Sequence, residues 1–346
     1  MAQLSVEELA QIVRGEGMSN PRVTQGTASA FGGISDALFN YGIPAACCAD
    51  GPSGLRYDGK ATQLPIGTAL SASWNAPLVR ELYTMEGEEL RANQVDTLLG
   101  PGVNIHRHPL NGRNFEYYSE DPYLSGTIAV ASTGGIKDGG AWGTIKHFAL
   151  NGQESHRFKI DAVCSERAIR QIYLKTFEMA VKAGTVKALM TAYNPINGHW
   201  AASNYDLCTT ILRNEWGYDG IVMTDWWAKM NDVVEGGEES NQDTRDMVRS
   251  QNDVYMVVNN NGAEVNSNND NTEESIKEGR LTIGELQRAA INICNFILSA
   301  PVIERELVDT DVAKHYDSVP NDQAKYEVFN IGKDDKVMFN SGTEAT

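Results

Sequence analysis

The 346 residues include 29 basic and 46 acidic side chains, a net charge of −17. Repulsion from phosphates disfavours nucleic acid and anionic membranes as partners, and an uncharged small molecule fits better. With 41% apolar and 22% charged residues, the chain can bury a sizeable core, as one large barrel or two ordinary domains.

The amino terminus has no basic start and no apolar stretch, so it is not a signal peptide. A cytoplasmic protein is expected, with secretion as part of a larger precursor left open. Ser5 and Glu8 have capping-box spacing and predict a short helix stopping near Gly15. No apolar run approaches the ~18 residues that span a bilayer. Cys47, Cys48, Cys164, Cys208 and Cys294 are an odd, scattered set. They give neither a disulfide framework nor a metal-binding C-x-x-C, and read as reduced core thiols.

From about residue 43 a rhythm sets in: short apolar run, polar loop, amphipathic helix. The runs predict strands over 45–48, 66–70, 97–99, 144–147, 188–192, 221–224 and 254–258. Helical periodicity predicts helices over 77–93, 165–182 and 207–216, the second capped by Ser165 and stopped by Gly184. A polar Asn-rich loop covers 259–271, and Thr282 with Glu285 opens a last helix. Alternating strands and helices imply an α/β fold with parallel pairing, a (β/α)8-type, TIM-like barrel that is irregular or incomplete. A doubly wound sheet is the runner-up, disfavoured because no Gly-rich phosphate fingerprint follows any strand. Residues 1–300 are read as the barrel, and 301–346 as a tail, linker or edge of a further domain.

Polar residues gather where these strands end, which is where α/β barrels keep their chemistry. Asp50 follows the first strand in a Gly-Pro turn, and its two carboxylate oxygens suit vicinal hydroxyls, although taken in isolation an Asx-turn is the favoured reading. Arg113 lies in a long aromatic and charged loop, where it can donate to hydroxyls or pair with Glu116 or Glu120. Lys146 and His147 are adjacent, so strand alternation points them to opposite faces. Buried Lys is rare unless paired, which favours a functional Lys146. Tyr193 follows the next strand, and Asp225 with Trp226 and Trp227 follows the one after. An acid beside Trp pairs a charge with a flat apolar face for a pyranose ring. Metal chemistry finds little support: His106 and His108 flank Arg107 without a third ligand. No G-x-S-x-G elbow occurs either.

Five segments in order resemble the motif set of glycoside hydrolase family 3, in its β-glucosidase branch. They are Asp50-Gly51-Pro52; Gly112-Arg113-Asn114-Phe115-Glu116 with Ser119-Glu120-Asp121-Pro122; Lys146-His147-Phe148; Met190-Thr191-Ala192-Tyr193-Asn194; and Met223-Thr224-Asp225-Trp226. The resemblance spans roughly residues 40–300. It implies retaining hydrolysis of terminal β-D-glucosyl residues with Asp225 as nucleophile. It further implies that Asp50, Arg113, Lys146, His147, Arg157 and Tyr193 line the sugar subsite, with Trp226 against the ring and no cofactor. Lys146, Arg113 and Arg157 are expected to favour ionised Asp225. The loop 149–157 lacks the His–Asp pair of the N-acetylglucosamine-cleaving branch.

A retaining glycosidase needs a second carboxyl about 5–5.5 Å from the first. In the family this acid/base Glu usually comes from a second domain, for which the 46 residues after 300 leave no room. The opening at 42–50 and the doubled Trp226-Trp227 look like the permuted members, whose second domain precedes the barrel. A second domain or companion chain is therefore the expected partner. Glu116, Glu120 and Glu154 are the candidates within the chain. A sugar-binding remnant without the acid, or β-xylosidase-type specificity, is the alternative.

Overall fold

The computed structural model describes residue 1 and residues 3–305. Its centre is one sheet of eight short strands: β1 (Arg14–Glu16), β2 (Ser29–Gly32), β3 (Ala45–Asp50), β4 (Thr97–Leu99), β5 (Trp142–Phe148), β6 (Ala188–Thr191), β7 (Ile221–Met223) and β8 (Tyr255–Val258). Neighbours follow the order β8-β1-β2-β3-β4-β5-β6-β7. A parallel bridge from Met223 to Val254 brings β7 against the start of β8. The Thr224 N–H donates to the Val254 carbonyl at 2.9 Å, so the sheet curls round nearly to closure. The expected TIM-like barrel is thus present, and its irregularity lies in β2. That strand runs antiparallel to β1 and β3, whereas all other pairs are parallel. Residues 17–28 contain no helix. A parallel return needs a crossover of about a dozen residues or more, normally helical, so a helix-free loop sends the chain back antiparallel.

β1 and β2 are absent from the sequence reading. β1 is Arg-Gly-Glu, too polar to read as a core strand, yet wholly buried. Its charges are answered inside the fold: Arg14 pairs with Asp270 at 2.7 Å and Glu16 accepts from Asn20 at 2.7 Å. The predicted strand over 66–70 is instead a helix, Gly67–Ala72. A short apolar run does not distinguish strand from helix by period alone. Here Gly67 lies under the loop of Glu116, where an added Cβ would meet the Glu116 carbonyl at 2.1 Å.

The expected helices form around the barrel. Val6–Ile12 and Ile283–Ser299 both begin with the predicted capping boxes, and Ala76–Ala92 begins on an Asn75 cap. The 165–182 segment starts on the Ser165 cap and passes through a wide turn at Ile169–Tyr173 before Lys175–Lys182. Asp206–Glu215 is wound as a π-helix. A helix over Pro122–Asp138, capped by Asp121, was not anticipated. Its many small residues weaken helical periodicity but let it pack closely on Ala76–Ala92. A Cβ on Gly135 would meet the Arg80 carbonyl at 2.3 Å.

Residues 301–305 stay on the barrel: the Val302 N–H donates to Asp96 at 2.8 Å and Arg305 pairs with the same carboxylate at 2.8 Å. The remainder of the expected tail, 306–346, lies outside the described residues. No helix among the described residues is long and apolar enough to cross a membrane. Within the barrel strands every residue is buried except Asp50, the last of β3. The barrel opens at that end.

Candidate active site

Strands pointing one way put their carboxyl ends on one rim, and a cavity of about 380 Å³ lies there. That size falls within the roughly 300–1,000 Å³ typical of small-molecule sites. Asp50, Arg113, Lys146, His147, Arg157, Tyr193, Asp225 and Trp226 all line it. Met18, Thr27, Ala28 and Met190 are among the other residues of the wall. The first three come from the excursion between β1 and β2. A second cavity of about 550 Å³ adjoins it, sharing Asp50, Arg56, Arg113 and Lys146 and adding Ser53, Gln63 and Phe115.

Asp225 sits two residues beyond β7 and is 8% exposed. Its Oδ1 accepts from the Trp226 N–H at 2.8 Å, and its Oδ2 lies 3.7 Å from His147 Nε2. Tyr193 lies beside this carboxylate and helps to stabilise its ionised form. Burial pushes the Asp225 carboxyl up, and it stays raised although the Trp226 N–H, Lys146, Arg113 and Tyr193 pull it down. The electropositive surroundings expected from the sequence are real, but desolvation outweighs them.

Lys146, 4% exposed, reaches Asp50 at 3.1 Å and Glu116 at 3.8 Å. Asp50 also takes Arg56 at 3.1 Å. Burial raises its carboxyl, but Lys146 and then Arg56 and the Gly51 N–H bring it below its usual value. Arg113 grips Glu116 at 2.6 Å and lies over the Tyr117 ring. Arg157 is held by Glu154 at 2.5 Å and lies over the Phe158 and Tyr193 rings, 5.0 and 4.9 Å from their centroids. Each cation is thus fixed by a carboxylate while still lining the cavity.

One expectation is overturned. Lys146 and His147 do not face opposite ways, since both line the same cavity. The β5–β6 ladder loses its register between Ile145 and Phe148, and side-chain alternation fails with it. Burial first, and then Arg113, Lys146 and Arg157, pushes the His147 pKa well down. Its approach to Asp225 is therefore that of a neutral imidazole, not an ion pair.

The three carboxyls considered as in-chain acids are placed differently. Glu116 is buried against Arg113 and Lys146, Glu154 is tied to Arg157, and Glu120 is exposed. None of them lines the cavity with Asp225. Among the described residues no cluster of three His, Cys, Asp or Glu is arranged to hold a metal. Buried Tyr117 and Asn151 stand behind the site and were missed. Both lie in the motif loops, but nothing local distinguishes them from ordinary core residues.

Relatives supply the remaining constraint. The glycosyl hydrolase family 3 N terminal domain matches residues 2–296. The chain belongs to glycosyl hydrolase family 3. It is 50% identical over 344 residues to a β-glucosidase of Ruminococcus albus, covering 99% of this chain and 35% of that protein. An exo-α-(1→6)-L-arabinopyranosidase of Bifidobacterium breve is 36% identical across 88% of this chain and 40% of that protein. Among solved structures, a β-glucosidase from Paenibacillus barengoltzii superposes with a TM-score of 0.88 at 67% identity, covering 89% of this chain and 34% of that one. β-Glucosidase 3B from Thermotoga neapolitana in complex with glucose gives 0.78 at 34% identity, with 94% and 45% covered. This family 3 barrel chain therefore spans under half the length of each of these relatives.

Proposed function

We propose that this chain is the catalytic barrel of a retaining β-glucosidase, cleaving terminal non-reducing β-D-glucosyl residues. The observation that carries this is the buried Asp225, which lines a cavity together with Lys146, Arg113, Arg157, His147 and Asp50. Asp225 attacks the anomeric carbon, the glycosidic bond breaks, and a glycosyl-enzyme forms. Water then attacks the same carbon and releases glucose. Lys146, Arg113, Arg157, His147 and Asp50 bind the ring hydroxyls, and Trp226 lies along the ring. Bonds from these groups that tighten as the oxocarbenium-like state develops lower the barrier. A Glu from another domain or companion chain protonates the leaving oxygen. Supporting this, Glu116, Glu120 and Glu154 do not line the cavity with Asp225; Glu116 lines the adjoining 550 Å³ space but is tied up by Arg113 and Lys146, and that space leaves room for a leaving group. The names of the β-glucosidase relatives favour glucose as the sugar. A reducing, cytoplasmic setting suits the five free thiols.

An aryl β-glucoside with a good leaving group needs little acid help and isolates the nucleophilic step. Incubating the chain with such a substrate and denaturing it should leave a glucosyl adduct on the Asp225 peptide by mass spectrometry. Asp225→Ala should leave none. An equal adduct in the alanine variant would falsify the assignment. Preference for the glucoside over the matching xyloside and arabinopyranoside, by initial velocity, tests the sugar.

A further inference from the structure

His147 is neutral and sits between Asp225 and a buried polar chain that the proposed reaction does not use. Its Nδ1 lies 3.2 Å from the Tyr117 hydroxyl and 3.3 Å from Asn104 Oδ1. Two tautomers are therefore conceivable, and they present opposite chemistry to the cavity. With the proton on Nδ1, Nε2 is an acceptor. With the proton on Nε2, it is a donor.

The order of donors can be worked out from the far end of the chain. Glu154 is salt-bridged to Arg157 at 2.5 Å and is an acceptor. The Asn151 amide faces Glu154 Oε1 at 3.1 Å, so its NH2 group must point there. The other hydrogen of that NH2 faces the Tyr117 oxygen at 3.1 Å, so this oxygen accepts. Tyr117 is 0% exposed, and its own proton then has one described acceptor within reach, His147 Nδ1. Asn104 does not compete on equal terms. Its Nδ2 donates to the His147 carbonyl at 2.8 Å, and its Oδ1 already accepts the His147 main-chain N–H at 2.9 Å. A proton on Nδ1 would leave the Tyr117 hydroxyl buried without an acceptor, an arrangement that folded proteins avoid.

We infer that Tyr117, Asn151 and Glu154 are positioning residues that hold His147 as its Nε2–H tautomer, presenting a fixed hydrogen-bond donor to the cavity. The role of that donor rests on the proposed glycosidase reading: it meets a ring oxygen or Asp225 Oδ2, 3.7 Å away. The tautomer itself does not rest on that reading. The same chain also links the donor to Arg157 through Glu154, so two groups facing the sugar are set by one carboxylate.

The test is long-range proton–nitrogen correlation NMR on the ligand-free, full-length chain with ¹⁵N-labelled histidine, His147 being assigned by its loss in His147→Asn. Wild type should show a protonated Nε2 and a bare Nδ1. Tyr117→Phe should move the proton to Nδ1, toward Asn104. Asn151→Asp keeps the side-chain size but turns the amide donor into an acceptor that captures the Tyr117 proton, and should do the same. A protonated Nδ1 in wild type, or an unchanged Nε2–H in both variants, overturns the inference. A missing glucosyl adduct on Asp225 alongside the expected tautomer pattern would instead sink the glycosidase reading.

Discussion

The two ends of the barrel treat buried aspartate in opposite ways. At the amino-terminal end Asp96 precedes β4 and Asp253 precedes β8. Asp253 accepts from the Val222 N–H at 2.9 Å, Arg213 at 2.6 Å and Asn292 at 2.8 Å. Asp96 accepts from the N–H groups of Cys47 and Val302 at 2.7 and 2.8 Å, and pairs with Arg305. At the carboxyl end Asp225 accepts only the Trp226 N–H among close donors in the described residues, its Oδ2 lies 3.7 Å from His147 Nε2, and the residue lines a cavity. Burial raises all three carboxyls, so a perturbed pKa alone does not mark the chemistry. What differs is acceptor capacity left open beside a cavity. The saturated aspartates stitch loops to strands, whereas the unsaturated one keeps the free acceptor capacity that the proposed nucleophilic role requires.

The largest test of this contrast is activity. Asp225→Asn should lower turnover of an aryl β-glucoside on the order of 10⁴-fold, while Asp253→Ala should leave turnover per folded molecule nearly unchanged. The reverse pattern would erase the distinction between the two ends. Stability should then invert the ranking. Asp253→Ala strands Arg213, whose side chain is 8% exposed beside a 0% exposed partner. It should cost about 3–5 kcal/mol in urea unfolding.

A smaller effect is expected inside the site. Arg157→Ala removes a cation held by Glu154 and two rings, and should raise KM roughly 10-fold with kcat less affected. Equal losses in both constants would assign Arg157 to the transition state instead.

The smallest effect is the most specific. Because burial raises the folded Asp225 carboxyl above its ordinary 3.8, the folded state binds a proton over a pH window where the unfolded chain does not. Stability from this group therefore grows as pH falls through the folded pKa, and ionisation above it costs stability. Asp225→Asn should raise stability at neutral pH by roughly 1 kcal/mol, with the gain shrinking in acid. In catalysis the same shift has the opposite sense. The acidic limb of kcat/KM should lie above the range of a solvent-exposed Asp, since protonated Asp225 cannot attack. A limb near 3.8 would mean that Lys146 and Arg113 outweigh burial after all.

Much of this architecture could be read from local pattern. The β3, β4, β5, β6, β7 and β8 runs are apolar because both their faces are covered, and a doubly covered strand announces itself as an unbroken apolar run. The capping boxes at Ser5 and Thr282 are local by nature and form as spaced. The failures also have particular causes. Arg14-Gly15-Glu16 is invisible as a strand because the ion pair from Asp270 to Arg14 and the hydrogen bond from Asn20 to Glu16 exist only after folding. The 66–70 run is decided by its fit beneath Glu116. Pro122–Asp138 lacks a strong helical stripe because its small residues serve close helix packing.

By itself the sequence determined the barrel type, the family and the set of polar residues at strand ends. Those depend on short apolar runs alternating with period-3.6 stripes and on short motifs within a few residues of one another. Tertiary structure alone decided how those residues relate. It put Lys146 and His147 on one wall, turned Glu116 and Glu154 into anchors for arginines, let burial outweigh charge at Asp225, and placed Tyr117 and Asn151 behind His147. Each of these depends on desolvation or on hydrogen-bond partners from other loops and strands, and no local pattern in a chain encodes which buried group is left with a lone pair to spare.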